Sequence, residues 1–152
     1  MIARATTTEI ESIEELTLFS LDQSHEGLES LINGARQCGT ELRMNGSQGM
    51  QILHPLVIAL HDFDVFENNL CALFQIDRKE IHDRNGNLAS VTAAFRGNLA
   101  TIEEMLQQKD FTGLALLLFT RLPATLERFQ SMLPLLRRYI DEQYVQAEAR
   151  HA

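Results

Sequence analysis

The amino-acid sequence predicts an all-α protein, an up-and-down four-helix bundle built from two αα-hairpins. The first observation is an internal repeat, in which a stripe of large apolar side chains recurs after 63 residues. The matched pairs are Leu42 and Met105, Leu56 and Phe119, Phe63 and Leu126, Phe66 and Phe129, Leu70 and Leu133, Leu73 and Leu136, and Ile76 and Tyr139. The second observation is that apolar residues follow one another three or four positions apart, the spacing of one helix face. Two hairpins of this kind can share one core, since neither can bury its stripe alone.

Helix 1 is predicted to begin at Thr8-Glu9-Ile10-Glu11, which has the spacing of a capping box. Residues 1–8 are then a flexible N-terminus. The apolar stripe is interrupted between Ser20 and Gly27, which leaves open whether helix 1 is one piece or two. Asn45-Gly46 follows the end of the stripe and predicts a tight turn to the next helix.

Helix 2 is predicted from about Ser47 to Ile76, with a bend at Pro55. Residues 77–87 are almost wholly polar and end in a turn signal, so they are interpreted as the linker between the hairpins. Helix 3 is predicted from about Leu88 to Gln108. This order gives each half of the chain one hairpin.

Helix 4 follows the turn Lys109-Asp110, where Asp110 is a suitable N-cap, and its pattern lasts to about Ala147. Pro123 and Pro134 each remove a backbone donor and crowd the preceding turn. The sequence therefore predicts a helix 4 that is bent at these prolines or broken into consecutive pieces. Residues 148–152 are then a flexible C-terminus.

Composition indicates a single globular domain over residues 1–152, because 45% of the residues are apolar and only 3 are proline. The net charge of −8 argues against binding nucleic acid through the overall field. The densest apolar run, Leu114 to Phe119, is too short to span a bilayer, and no signal peptide is evident. A cytoplasmic protein is expected.

Cys38 and Cys71 lack the close spacing of a redox or zinc pair and are interpreted as packing residues in a reducing compartment.

The histidines carry the only candidate chemistry for signalling or metal binding. In phosphotransfer bundles a lysine follows the histidine by three residues, but Leu28 stands three residues after His25. His54 and His61 are seven residues apart on nearly one side of helix 2, with three nearby carboxylates that could complete a metal site. Those carboxylates are Asp62, Asp64 and Glu67. Neither the zinc spacing nor the Glu-x-x-His motif of di-iron bundles is present, so a solvated helix flank is favoured and no metal is predicted.

Other site motifs are incomplete. The segment Asp83 to Asn87 begins like a calcium loop, but Ala94 occupies the twelfth place, where a bidentate glutamate is needed, so a turn is predicted. No glycine-rich phosphate loop and no nucleophile motif is present. We therefore predict no catalytic residue, no cofactor and no enzymatic activity.

Charge is distributed unevenly along the chain. Between Glu9 and Glu29 there are seven carboxylates and no lysine or arginine, whereas four arginines lie along helix 4. These are Arg121, Arg128, Arg137 and Arg138. Either helix 1 packs beside helix 4 and the charges form exposed pairs, or the arginines form a patch for an acidic partner.

Helix 4 is richer in apolar residues than one core face requires, since Leu116, Leu117 and Phe119 extend beyond the stripe. Such a helix is either central in the bundle or covered by another chain. The cover would be a second copy in a homodimer or the amphipathic helix of a client. Leu116, Leu117, Phe119, Arg121 and Arg128 are the candidate partner-binding residues.

The stretch from Asp110 to Pro123, a leucine-rich helix that meets a proline after a few turns, resembles the second-hairpin segment of small, uncharacterised bacterial α-helical hairpin-repeat proteins. The resemblance implies bacterial origin and a bundle fold, and it transfers no site. The function favoured from the sequence is a non-enzymatic protein-protein interaction module, such as an adaptor or an export-chaperone-like bundle. The alternative is a histidine-based signalling or metal-binding bundle.

Overall fold

The computed structural model describes the backbone of residues 2–151 and the side chains of residues 15–143. Its α-helices are α1 (Ile2–Met44), α2 (Gly46–Leu73), α3 (Leu88–Gln108), α4 (Phe111–Phe119) and α5 (Arg121–His151). A short 3-10 helix (Arg78–Glu80) and two two-residue strands, β1 (His82–Asp83) and β2 (Gly86–Asn87), lie between α2 and α3. The protein is therefore all-α, as the sequence predicts. No helix in the described part of the chain is long and apolar enough to cross a membrane.

The first helix is one continuous element as far as Met44. The polar stretch after Ser20 does not break it, because Leu21 keeps an apolar contact with the core and the Ser24 hydroxyl donates to the Ser20 carbonyl at 2.8 Å. The helix begins at Ile2 and therefore earlier than the start predicted at Thr8 to Glu11, and the side chains of that predicted capping box lie outside the described residues.

The predicted turn at Asn45-Gly46 is confirmed. The Asn45 side chain caps α2 by accepting a hydrogen bond from the Gln48 amide at 3.3 Å. Past the turn, α1 and α2 are so close that a Cβ at Gly49 would lie 2.6 Å from the Leu42 nitrogen. Glycine is required here for close approach, and the first hairpin is tightly closed.

The polar segment after α2 is an ordered connection. Asp83 pairs with Gly86 across a two-residue β-hairpin, and the Asp83 carboxylate accepts from the Asn85 amide at 2.8 Å. Gly86 has φ +144°, a conformation that favours glycine. The predicted turn is therefore confirmed.

Helix α3 has the predicted bounds. At its start the Asn87 side chain accepts from the Ser90 amide and the Ser90 hydroxyl accepts from the Asn87 amide, so two free donors are satisfied. At its end Lys109 has a left-handed conformation. Asp110 then caps α4 by accepting from the Gly113 amide at 2.9 Å, as predicted.

The predicted helix 4 is broken once, at Thr120, which separates α4 from α5. The break comes before Pro123, so this proline lies in the first turn of α5, where its missing amide is no loss. The Thr120 hydroxyl donates to the Leu116 carbonyl at 2.6 Å. Pro55 and Pro134 lie inside α2 and α5.

The core joins all five helices. Helix α1 contacts α2, α4 and α5, and α3 contacts α4 and α5. Three phenylalanines, Phe63 on α2, Phe95 on α3 and Phe129 on α5, meet edge to face with ring centroids 5.1–5.7 Å apart. These rings lie where both halves of the repeat share the core.

Candidate functional site

The structure separates the predicted partner-binding residues into exposed and internal ones. Leu116 is 63% exposed, Phe119 is 50% exposed and Arg121 is exposed. Leu117 is only 2% exposed and belongs to the core, so its side chain is not accessible to a partner. Arg128 binds Asp83 through two hydrogen bonds of 2.9 and 3.1 Å and is also not free for a partner.

An apolar groove lies where the C-terminal ends of α1 and α4 meet. The two helices approach closely at Gly39, where a Cβ would lie 2.8 Å from the Ala115 carbonyl oxygen and 3.3 Å from the Phe119 Cβ. Beside this contact is a cavity of about 350 Å³. It is lined by Thr40, Arg43, Met44 and Phe119, and is named here the α1–α4 groove.

The apolar floor of the α1–α4 groove is open to solvent. Met44 is 81% exposed, and Leu116, which precedes Phe119 by three residues on the same helix face, extends the apolar surface. Exposed apolar residues in such a cluster are typical of a protein interaction site, whereas singly scattered ones are ordinary.

The charged residue in the groove is a cation. Arg43 is in the last turn of α1, where a positive charge interacts favourably with the helix carbonyl end. Neither Arg43 nor Arg121 forms an ion pair with a described side chain. Two turns back along α1, Arg36 is already paired with Glu127 at 2.9 Å. The groove therefore offers apolar contact together with an unneutralised positive charge.

Some of the complementary charges at the two ends of the sequence pair with each other within the molecule. Arg137 on α5 lies 3.4 Å from Asp22 on α1 and 3.7 Å from Asp141, and Gln130 donates to Glu29. Arg128 binds the β-hairpin and not α1. The prediction that helix 1 packs beside helix 4 is confirmed, since α1 contacts both α4 and α5, but of the four arginines only Arg137 pairs with a described carboxylate of α1.

The histidines do not converge. His25 lines a shallow cavity of about 210 Å³ with Asp22 and Arg137, whereas His54 is exposed and His61 lies 3.7 Å from Glu103. Among the described residues, no three His, Cys, Asp or Glu side chains are close enough together to hold a metal ion.

A buried ionic cluster around Glu67 was missed by the sequence reasoning, which placed Glu67 on a solvated flank. Glu67 is 4% exposed and accepts two hydrogen bonds from Arg78, at 2.7 and 3.0 Å. The Thr92 hydroxyl and the Cys71 thiol also lie within 3.4 Å of its Oε1. The signal was present: Glu67 follows Leu60 by seven residues and precedes Cys71 by four, which is core spacing.

Burial, together with the neighbouring Glu67 carboxylate, keeps Cys71 in its thiol form. Burial, followed by the charge of Glu67, raises the pKa of the Cys71 thiol to about 12, and burial raises the pKa of Cys38 to about 11. Both cysteines are buried, as the packing interpretation predicts. The hydrogen bond from Arg78 to Glu67 raises the pKa of Arg78 further, so the guanidinium stays charged.

Two further contacts fasten the connection between the hairpins to α5. The Tyr139 hydroxyl donates to Glu80 at 3.0 Å, which raises the pKa of Tyr139. The hydrogen bonds from Arg128 lower the pKa of Asp83 to about 2. With Ile81 buried beneath them, these contacts make residues 77–87 a structural cap over one end of the core.

Comparison with models of protein families, with curated proteins and with solved structures gives no match. The candidate site is therefore argued from its own geometry. Its members are the exposed apolar residues Met44, Leu116 and Phe119 and the cation Arg43, and the exposed Arg121 follows Phe119 by two residues in the sequence.

Proposed function

We propose that this chain is a non-enzymatic protein-protein interaction module, an adaptor or export-chaperone-like helical bundle, and that the α1–α4 groove is its contact surface. The observation that carries the proposal is the open cavity of about 350 Å³ between Met44 and Phe119, with Arg43 on its wall. Its volume is in the range of ligand pockets, and its lining suits an apolar side chain presented by a helix.

The internal repeat supports this proposal. Leu53 and Leu56 in the first hairpin are 3% and 7% exposed, whereas the residues 63 positions later, Leu116 and Phe119, are 63% and 50% exposed. The second hairpin therefore leaves uncovered two positions that the first hairpin buries. Covering a large apolar side chain stabilises by about 1.5–3 kcal/mol, which a partner would gain on binding.

The proposal includes the arrangement of the helices. Asp22 of α1 pairs with Arg137 of α5, and Arg36, later in α1, pairs with Glu127, earlier in α5. This order is the one expected for antiparallel neighbouring helices. We place α4 and α5 together as the fourth member of an up-and-down four-helix bundle, with the break between them at Thr120. A cytoplasmic protein of bacterial origin remains the setting proposed from the sequence.

A second candidate function, phosphotransfer at His25, is favoured by one observation. Arg137, from α5, lines the same cavity as His25 and supplies the cation that the local sequence lacks. Against it, Asp22 and Asp141 already bind this guanidinium, and Glu26 and Glu29 add negative charge nearby. Incubation with a labelled phosphoryl donor tests it, and label that is retained by His25→Gln would contradict it.

The test of the interaction function compares two exposed substitutions. Phe119→Glu places a carboxylate in the groove, whereas Val65→Glu changes an apolar residue of similar exposure, 57%, on α2. Val65 is about 30 Å along α2 from the turn beside the groove, at 1.5 Å per residue. The purified variants are used as bait, and bound proteins are identified by mass spectrometry.

We expect wild type and Val65→Glu to retain the same bound protein and Phe119→Glu to lose it, with helix content by circular dichroism unchanged in both. A bound protein that is retained by Phe119→Glu would place the contact elsewhere. The absence of any specific bound protein, together with a monomeric wild type, would refute the interaction function.

A further inference from the structure

A second apolar surface lies toward the opposite end of α1. Leu16 and Phe19 are 60% and 58% exposed and lie three residues apart, so they share one helix face. Glu26 is seven residues beyond Phe19 on the same face, and Glu15 adjoins it, both exposed. These four residues, Glu15, Leu16, Phe19 and Glu26, are named here the acidic face of α1.

The acidic face has the chemistry that the α1–α4 groove lacks. Its carboxylates Glu15 and Glu26 form no ion pair with a described side chain, as is also true of Arg43 in the groove. No lysine or arginine occurs between residues 9 and 29. An amphipathic helix that presents two large apolar anchors flanked by carboxylates matches an apolar groove with an arginine wall.

The two surfaces cannot meet within one molecule. Both lie on α1, and the 25 residues from Phe19 to Met44 correspond to about 37 Å of helix at 1.5 Å per residue. A continuous helix holds its two ends apart, so contact between them requires another copy of the chain. The surfaces are different, so the contact would be head to tail and not twofold symmetric.

We infer that the α1–α4 groove binds the acidic face of α1 from a second copy, with Phe19 and Leu16 entering the groove beside Met44 and Phe119, and Glu15 or Glu26 pairing with Arg43. A pair of copies bound in this way still has one unoccupied groove and one unoccupied acidic face. The assembly therefore grows into short chains as the concentration rises. The inference rests on the proposed function, because it names the partner of the same groove.

The experiment measures mass in solution by light scattering over a range of protein concentrations. Three variants are used: Phe119→Glu blocks the groove, Leu16→Lys with Phe19→Lys blocks the acidic face, and Ile58→Lys is the control at a 49% exposed residue of α2. Circular dichroism establishes that each variant keeps its helix content.

We expect the mass of wild type and of Ile58→Lys to rise with concentration to at least twice that of the monomer, and to fall when salt screens the ion pairs. Each blocked variant alone should remain a monomer. An equimolar mixture of the two should double in mass and grow no further, because one supplies an intact groove and the other an intact acidic face.

If two copies paired symmetrically through their grooves alone, the Leu16→Lys, Phe19→Lys variant would still form a dimer. That outcome would overturn the inference. So would a mixture of blocked variants that stays monomeric, or a wild type that is monomeric at every concentration. If a different protein is still bound by wild type and lost by Phe119→Glu, the interaction function stands and only the second copy as partner is wrong.

Discussion

Removing the guanidinium of Arg78 should destabilise the fold strongly, because it leaves the Glu67 carboxylate buried without its cation. Glu67 is 4% exposed as a residue and the Arg78 side chain is 24% exposed, so the pair is shielded on the carboxylate side and partly solvated on the other. Breaking a fully buried pair by deleting one partner costs about 3–5 kcal/mol. Allowing for the solvated side of Arg78, we expect Arg78→Ala to cost about 2–4 kcal/mol.

The assay is urea unfolding followed by circular dichroism, with the free energy of unfolding taken from the transition of each variant. Lys79→Ala is the matched control, since Lys79 is an exposed neighbour in the same 3-10 helix and its backbone amide still donates a hydrogen bond to the Asp77 carboxylate in the variant. We expect this control to stay within about 0.5 kcal/mol of wild type.

A double variant separates the lost ion pair from simple loss of packing. In Glu67→Leu with Arg78→Ala no charge is left buried, and replacement of a buried pair by apolar groups is often neutral or stabilising. We expect it to recover at least half of the loss caused by Arg78→Ala. A double variant that is less stable than the single one would refute the argument, as would a cost of Arg78→Ala below about 0.5 kcal/mol.

Three other predictions follow from single contacts. The pKa of Asp83 is lowered to about 2 from an ordinary 3.8, so its contribution to stability is complete above pH 3.8 and is lost as the pH falls toward 2. Asp83→Asn should therefore flatten the dependence of the urea midpoint on pH in that range, and an unchanged slope would contradict this. Gly39→Ala should destabilise the protein by about 1–3 kcal/mol, because the added Cβ would lie 2.8 Å from a carbonyl oxygen on α4. Gly97→Ala, whose Cβ has nothing within 4 Å, should stabilise it by about 0.5–1 kcal/mol. The two variants are compared by thermal melting, and equal shifts of the melting temperature would refute the close contact at Gly39. Leu117→Glu should abolish cooperative unfolding while Leu116→Glu stays folded, since they are 2% and 63% exposed; a folded Leu117→Glu would contradict the core assignment.

The starts of α2, α3 and α4 were well predicted from the sequence because turn and capping signals are local, whereas α1 begins at Ile2 and not at the predicted Thr8. Asn45, Asn87 and Asp110 each place a side-chain oxygen within one turn of the amide that it accepts from, so the signal and its effect lie in the same few residues. The position of the break before α5 was less predictable. A proline such as Pro123 is disfavoured in a helix interior but tolerated in a first turn, so the break can lie upstream of it, at Thr120.

The buried ionic cluster was harder to predict because its partners come from separate elements. Glu67 stands at core spacing on α2, but its cation Arg78 lies eleven residues later in a 3-10 helix and Thr92 lies on α3. Periodicity describes one helix at a time and cannot pair a carboxylate with a residue in a connection. A glutamate at core spacing is therefore a signal that needs a fold to be interpreted.

Periodicity within one helix was also not enough to predict which residues of the candidate site are exposed. Leu116 and Leu117 are adjacent in a helix that is apolar on nearly every side, and only the packing of α1, α3 and α5 around α4 decides that Leu117 is buried and Leu116 is not.

The repeat adds the reason for the exposed surface. The first hairpin has an unbroken α2, so Leu56 packs below α1 next to Gly34. In the second hairpin the break at Thr120 lets the short α4 pack mainly against α1 and leaves Phe119 half exposed beside Met44. The groove thus arises where the second hairpin departs from the pattern of the first, and for that reason the repeat in the sequence could predict the core but not the site.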